Sequence, residues 1–222
     1  MTQLNWSDPP SQTAFPVAKA GYPFIFASAF ATAVFALLGV GFMAVLGLFA
    51  TGFICFFFRD PDRLVPAGDG VIVSPADGKV IKVEPVDQTA YFEGACTRVS
   101  VFMSVFNVHV NRVPHEGTIR KVTYYPGKFF SANLDKASKD NEHNALLLES
   151  PEGRPVGFVQ IAGLIARRII CAVQPGDVLK RGQRFGMICF GSRLDIYLPP
   201  EAEIQVAVGD KVQAGSSILG KW

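Results

Sequence analysis

Residues 20–58 read AGYPFIFASAFATAVFALLGVGFMAVLGLFATGFICFFF, 39 positions without a charge between Lys19 and Arg59. A secretory signal has an apolar core of only about 7–15 residues before a small-residue cleavage site, so this run is too long for one. As a single straight helix it would extend roughly 58 Å at 1.5 Å per residue, against a hydrocarbon core of about 30 Å. Gly39-Val40-Gly41 stands at the midpoint and divides the run into two helices, Tyr22–Leu38 and Phe42–Phe58. Each is just long enough to cross a bilayer, or to dip in and return. A tight hairpin puts both ends on the same side. Lys19, Arg59 and Arg63 mark that side as cytoplasmic, with Asp60 and Asp62 interleaved. A buried hairpin in a soluble protein is the competing reading, but a run apolar on every face suits lipid better.

The chain has 222 residues, enough for one ordinary domain with an accessory segment. Its formal net charge of +2 is too balanced for a nucleic-acid binder. Before Arg59 the only charges are Asp8 and Lys19, and beyond it the charge density is that of a soluble domain. Cys55, Cys96, Cys171 and Cys189 form no close pair. With no CxxC or His-x-His spacing, neither a disulfide scaffold nor a metal site is expected.

After Arg59 the texture changes to short Val-, Ile- and Phe-rich runs, most bounded by Gly, Pro or Asp. Val71–Ser74, Lys79–Val83, Arg98–Met103, Thr118–Tyr125, Ala145–Glu149, Val156–Ile161, Phe185–Phe190, Leu194–Leu198 and Glu203–Val208 read as strands. Ser104–Val108 and Phe130–Ser138 are the best short helix candidates. The expected class is a β-dominated α+β fold: a barrel-sandwich-like β domain (59–222) behind an N-terminal tail (1–19) and an apolar helical hairpin (20–58). A faint repeat supports the β reading. Gly176-Asp177-Val178-Leu179-Lys180-Arg181-Gly182 recurs as Gly209-Asp210-Lys211-Val212-Gln213-Ala214-Gly215, with a related turn at Pro75-Ala76-Asp77-Gly78. Such turns resemble those of lipoyl and biotinyl carrier domains, and Asp135-Lys136-Ala137 matches their lysine tripeptide by letter. Its polar surroundings, Asn133-Leu134 and Ser138-Lys139-Asp140, do not suit a tight hairpin.

Three residues could carry chemistry together. His109 follows an apolar strand, Asp77 sits in an Asp-Gly turn, and Ser192 lies in Phe190-Gly191-Ser192-Arg193. Each alone has an ordinary structural role, as a satisfied histidine, a turn former and a loop serine. Together they offer a nucleophile, a base and an orienter. The hydrolase elbow G-x-S-x-G does not fit, because Leu194 stands two residues after Ser192. The other use of the same parts is attack by Ser192 on its own backbone. The Gly191 carbonyl is open to the adjacent hydroxyl, and glycine tolerates the backbone such attack requires.

With these residues in view, the sequence resembles the phosphatidylserine decarboxylase proenzymes in their short bacterial form. The resemblance runs through Phe57-Phe58-Arg59-Asp60-Pro61, Ser74-Pro75-Ala76-Asp77-Gly78-Lys79-Val80 and Phe102-Met103-Ser104 to His109-Val110-Asn111-Arg112. It continues through Gly127-Lys128-Phe129, Asp135-Lys136-Ala137-Ser138, Asn141-Glu142-His143-Asn144 and Phe190-Gly191-Ser192-Arg193. The order of these pieces, behind an apolar leader, makes the match specific.

The resemblance implies a self-made cofactor. The Ser192 hydroxyl would attack the Gly191 carbonyl, cutting the chain into a β chain, Met1–Gly191, and an α chain, Ser192–Trp222. Ser192 would become a covalent pyruvoyl group (pyruvate as cofactor), which takes the substrate amine and draws electrons as CO2 leaves. Phosphatidylserine is the implied substrate and phosphatidylethanolamine the product, at the cytoplasmic face of the cell membrane. The triad roles fall to Asp77 as orienter, His109 as base and Ser192 as nucleophile, with cleavage between Gly191 and Ser192 and no metal. Longer members carry a second histidine where this chain has Arg112, and Thr where it has Arg193. Which histidine role His109 inherits therefore stays open. Lys128 and Arg112 are the cationic candidates for the lipid phosphate. A homo-oligomer is compatible with this reading, and nucleic acid is not an expected partner. Two other classes remain: a pyruvoyl decarboxylase of soluble amino acids, which would not need the leader, and a membrane-tethered β module without enzymatic activity, which predicts one intact chain.

Overall fold

The computed structural model describes residues 4–6, 8, 15–132, 140–164 and 168–222. The chain divides into two compact units, one within residues 10–62 and one made of residues 1–9 with 63–222. The Asp135-Lys136-Ala137 tripeptide and most of the Phe130–Ser138 helix candidate lie outside the described residues.

The first unit is a helical hairpin. A 3-10 turn, Lys19–Gly21, leads into α1 (Tyr22–Leu37), and α2 (Gly41–Phe57) follows. The glycine-centred break turns the chain where the sequence predicts, with Gly39 left-handed at φ 73°. The helices meet through small and hydroxylic side chains. Ser28 Oγ and Thr51 Oγ1 share a hydrogen bond of 2.7 Å, and Gly47 packs against Thr32 with no room for a side chain. Contacts of this kind join helices in lipid, where no hydrophobic force separates one apolar surface from another. Phe26, Phe30, Leu48 and Phe49 face outward, and no residue of α1 is buried. The helical stretch Lys19–Leu37 is long and apolar enough to cross a membrane. At the foot of the hairpin, the Ala18 N–H donates to the Phe58 carbonyl at 2.8 Å and the Asp60 N–H to the Pro16 carbonyl at 2.8 Å.

The second unit is built of antiparallel strands. They are β1 (Leu4–Trp6), β2 (Leu64–Pro66), β3 (Val71–Val73), β4 (Gly78–Val86), β5 (Cys96–Met103), β6 (Val110–Arg112), β7 (Gly117–Tyr125) and β8 (His143–Glu149). The chain continues with β9 (Pro155–Ala162), β10 (Arg168–Cys171), β11 (Val178–Leu179), β12 (Arg184–Cys189), β13 (Ser192–Leu198), β14 (Glu203–Ile204), β15 (Lys211–Val212) and β16 (Ile218–Lys221). Eight of them form one sheet in the order β11-β7-β8-β9-β13-β5-β4-β15, and two three-stranded sheets, β10-β12-β6 and β14-β16-β3, accompany it. One core, including Ile72, Val80, Val101, Phe158, Phe185, Ile188, Leu194, Ile196 and Leu219, draws on the large sheet and both small ones. This is the strand-dominated, sandwich-like domain that the sequence predicts.

Two local expectations fail for identifiable reasons. Ser104–Val108 is a turn, because the Ser104 N–H and Oγ both bond to Asn107 Oδ1, at 2.9 and 2.8 Å. Such side-chain bonds compete with helical backbone bonds. The strand expected over Glu203–Val208 stops at Ile204, and the Ala207 N–H bonds instead to the Asp210 carboxylate at 2.9 Å.

The repeat is real in three dimensions. Asp177 and Asp210 make the same turn, each carboxylate accepting a backbone N–H three residues upstream at 2.9 Å, from Gln174 and Ala207. Each turn leads into a two-residue edge strand, β11 on β7 and β15 on β4, at opposite ends of the large sheet. The pairing extends to the partners: β7 is entered through Pro114-His115-Glu116-Gly117 and β4 through Pro75-Ala76-Asp77-Gly78.

Candidate active site

The chain passes from β12 in a small sheet to β13 in the large one through two residues, Phe190 and Gly191. Both are left-handed, at φ 66° and 69°, and Phe190 is the single non-glycine with positive φ among the described residues. For a bulky L residue that conformation costs about 1–2 kcal/mol, so the corner before Ser192 is strained. The Gly191 carbonyl points at the loop after β9, where it accepts the Gly163 N–H at 3.1 Å. A side chain at position 163 would overlap that carbonyl oxygen, which explains a glycine there.

Ser192 opens β13 and is fully buried. It pairs in register with Met103 of β5 on one side and Ala162 of β9 on the other. Its hydroxyl has only a weak acceptor within reach among the described residues, the Met103 sulfur at 3.9 Å. A buried hydroxyl so loosely held can rotate towards the Gly191 carbonyl at little cost.

His109, also fully buried, lies at the end of the Ser104–Asn107 turn. Its Nδ1 lies 3.0 Å from the Asn107 carbonyl, and its Nε2 lies 3.4 Å from the Gly191 backbone nitrogen. One tautomer satisfies both contacts: Nδ1–H donates to the carbonyl, and the Nε2 lone pair accepts from the Gly191 N–H. That lone pair is what a general base needs, and it lies beside the Gly191-Ser192 segment. The turn Ser104–Asn107 thus sets both the position and the tautomer of the ring.

Asp77 is nearly buried at the start of β4. Its carboxylate accepts from Arg63 Nη2 at 2.8 Å and from the Ala214 N–H at 2.8 Å. The same turn is tied to the histidine's strand, because the Pro75 carbonyl accepts the Arg112 N–H at 2.9 Å. A cavity of about 590 Å3 opens here, bounded by Asp77, Gly78, Lys79, Phe102, Ser104, Asn107 and Lys211 among others.

The two cationic candidates are placed differently. The Arg112 guanidinium is buried, donating to the Gly182 carbonyl at 2.9 Å and pairing with Asp8 at 3.5 Å. Lys128 is exposed, its ammonium 6.0 Å from the Phe130 ring centre, and its backbone bridges to Asn141. The other histidines have defined partners. His115 packs on Trp222, ring centres 4.7 Å apart, and His143 Nε2 accepts from the Tyr91 hydroxyl at 2.9 Å.

Sequence reasoning missed Gly163 and gave Arg63, Asn141 and Arg193 no part in the site. Asn141 bonds to Phe130 and, at 2.7 Å, to the Ala162 carbonyl, fixing the chain just before Gly163. Arg193 and Asp195 form a buried ion pair at 2.9 Å on the face of β13 opposite the core, and Arg193 also donates to the Ala132 carbonyl at 3.0 Å. Beside them the Tyr197 phenol is pushed up in pKa, first by burial and then by the Asp195 charge, and so stays protonated. Only the Arg-Asp-Pro-Asp-Arg cluster at 59–63 hinted at Arg63. Nothing local marks Gly163, whose partner is 28 residues away.

The sequence profile of phosphatidylserine decarboxylases matches residues 50–220. The chain belongs to the phosphatidylserine decarboxylase family. It is 54% identical over 208 residues to a phosphatidylserine decarboxylase proenzyme of Syntrophus aciditrophicus, covering 93% of this chain and 97% of that one. It is 47% identical over 210 residues to one of Desulfotalea psychrophila, with 95% and 98% covered. A third, from Nitratidesulfovibrio vulgaris, is 54% identical over 201 residues, with 90% and 92% covered. Membership makes the chain an enzyme of the decarboxylase class.

Proposed function

We propose that the chain cuts itself between Gly191 and Ser192, converts Ser192 to a pyruvoyl group, and then decarboxylates phosphatidylserine to phosphatidylethanolamine. The observation that carries this reading is the left-handed Phe190-Gly191 corner, with its carbonyl bound by the Gly163 N–H and His109 Nε2 beside it. In the first step Ser192 Oγ bonds to the Gly191 carbonyl carbon, and the C–N bond to Ser192 breaks. The hydroxyl proton passes through His109 Nε2 to the released Ser192 nitrogen. Charge that develops on the carbonyl oxygen is met by the Gly163 N–H, as in an oxyanion hole. Relief of the corner's strain favours the resulting ester. Loss of the Ser192 Cα proton then expels the Gly191 carboxylate, and water replaces the nitrogen as ammonia. The pyruvoyl group supplies the electron sink for decarboxylation. Asp77 acts in the same reading as the orienting carboxylate of the His109 region.

The α chain, 192–222, would stay in place after the cut, because β13 is paired along its whole length with β5 and through six residues with β9. The hairpin of residues 20–58 serves as the anchor that holds the catalytic domain, 59–222, at the cytoplasmic face of the cell membrane, where the lipid substrate lies. A denaturing gel with mass measurement tests the reading. The purified protein should give two chains, the smaller having the mass of Ser192–Trp222 less one ammonia. Ser192→Ala should give one uncut, inactive chain. A small chain with an ordinary serine terminus, or an intact wild-type chain that is active, would sink it.

A further inference from the structure

We infer that Lys79 and Lys211 form the subsite for the phosphodiester of the lipid headgroup, an inference that rests on the function proposed above. Both line the cavity of about 590 Å3 that also meets Asp77, Ser104 and Asn107. They stand directly opposite each other in the β4–β15 pair. Both are exposed, and neither ammonium has an ion-pair or hydrogen-bond partner among the described residues. Like charges facing across a strand pair repel, and a shared anion removes that repulsion.

Lysines also protect sheet edges against further pairing, but the other copy of the internal repeat closes its edge without them. At the equivalent place on the other end of the sheet, β11 pairs with β7 through Val178 and Thr118, not two lysines. The cationic pair occurs only in the copy whose entering turn carries Asp77.

Its distance from the reacting position also fits. Lys211, Lys79, Phe102 and Arg193 form one register row across β15, β4, β5 and β13. At a strand spacing of about 4.8 Å, Lys79 lies roughly 10 Å and Lys211 roughly 14 Å from β13. From the serine amine to the phosphorus of the headgroup is about 5 Å, and an extended lysine stem reaches about 6 Å, from ordinary bond lengths. The Ser192 side chain packs on Met103 on the other face of β13, so the headgroup reaches this row from the strand end. With a charge-assisted hydrogen bond of about 2.8 Å, the lengths come to about 14 Å, enough for Lys79 and just enough for Lys211 when both groups are extended. Arg193, nearest in the row, already binds Asp195 and Ala132.

The test uses the full-length protein and two forms of substrate. One is a phosphatidylserine with six-carbon chains, dissolved below its micellar concentration. The other is long-chain phosphatidylserine as a minor component of phosphatidylcholine vesicles. Lys79→Gln and Lys211→Gln should still give two chains, and each should raise KM for the dissolved lipid about tenfold with kcat nearly unchanged. The double variant should lose about a hundredfold, and Lys→Arg at either position should restore most of the loss. An unchanged KM for the dissolved lipid overturns the inference. So does a defect seen only on vesicles and abolished by salt, which would mean attraction to neighbouring lipid phosphates. A fall in kcat alone, or variants that stay uncut, would assign the lysines to another task. A wild-type protein that neither splits nor releases CO2 would instead remove the proposed function, whereas an active wild type with unaffected variants removes this subsite alone.

Discussion

Gly163→Ala is the sharpest test of the self-cleavage geometry, because it adds one methyl group at a single contact. The new Cβ overlaps the Gly191 carbonyl oxygen. To restore ordinary contact the two must separate by about 1 Å. That separation stretches the 3.1 Å hydrogen bond from the Gly163 N–H beyond useful length. Losing one donor from an oxyanion hole typically slows reaction about 10²–10³-fold. The carbonyl carbon also shifts relative to Ser192 Oγ, which works in the same direction. The assay is a time course of precursor and product chains after synthesis in a cell-free system, resolved on a denaturing gel. Circular dichroism and protease resistance of the uncut chain report whether the fold survives. We expect a folded precursor that splits at least a hundredfold more slowly than the wild type. A folded Gly163→Ala protein that splits at the wild-type rate would refute the role of the Gly163 N–H and weaken the reading of the strained corner.

Other perturbations probe separate parts. His109→Ala should slow splitting about 10²–10⁴-fold, the usual effect of removing a general base, and normal maturation with a native decarboxylation rate would make His109 merely structural. Asp77→Asn should slow splitting as well, read on the same gel. Deleting residues 1–58 should move the protein out of the membrane fraction, and a truncated chain that stays fully membrane-bound would contradict the anchor. Arg193→Ala removes the guanidinium 2.9 Å from the buried Asp195 carboxylate and should cost about 3–5 kcal/mol in denaturant unfolding, whereas changing both residues to leucine should cost far less.

How much of this the sequence revealed depends on the range of the interaction. The hairpin was legible to within a residue, because charge, apolarity and the Gly39-Val40-Gly41 break are all local. Most strands were legible for the same reason. The two-residue edge strands Val178–Leu179 and Lys211–Val212 were not, since their identity comes from the neighbouring strand and not from their own pattern. Ser104–Val108 misled because a side-chain cap in Asn107 outweighed helical propensity. In the site, Ser192, His109 and Asp77 were visible as residue types with a chemistry. Gly163 was not, because a backbone N–H has no signature in the sequence and its value depends on a carbonyl on another strand. The left-handed Phe190 was equally hidden, since phenylalanine is a poor predictor of positive φ.

The internal repeat offers an account of why the proposed chemistry sits at one end of the large sheet. The two ends of the large sheet share a Pro-x-acid-Gly turn, an edge strand and a turn closed by an aspartate carboxylate, so the scaffold alone does not make a site. Near Gly117 the acidic residue is Glu116, paired with Arg181 at 3.1 Å, and the neighbouring His115 packs on Trp222. Near Gly78 the acid is Asp77, whose side chain is one carbon shorter and accepts a backbone N–H as well as Arg63. Only this end has the Ser104–Asn107 turn of β5 beside it, carrying His109 to the β12–β13 corner, and only this end faces lysines across its edge. The fold thus supplies two equivalent frames, and the proposed chemistry draws on what differs between them: one turn, one histidine and two lysines. Exchanging Lys79 and Lys211 for the Thr and Val of the other end makes that argument quantitative: the sheet edge should tolerate both changes with little loss of stability, while KM for the dissolved lipid rises as for the glutamine pair. A large loss of stability with unaltered KM would show that the lysines serve the edge and not the ligand.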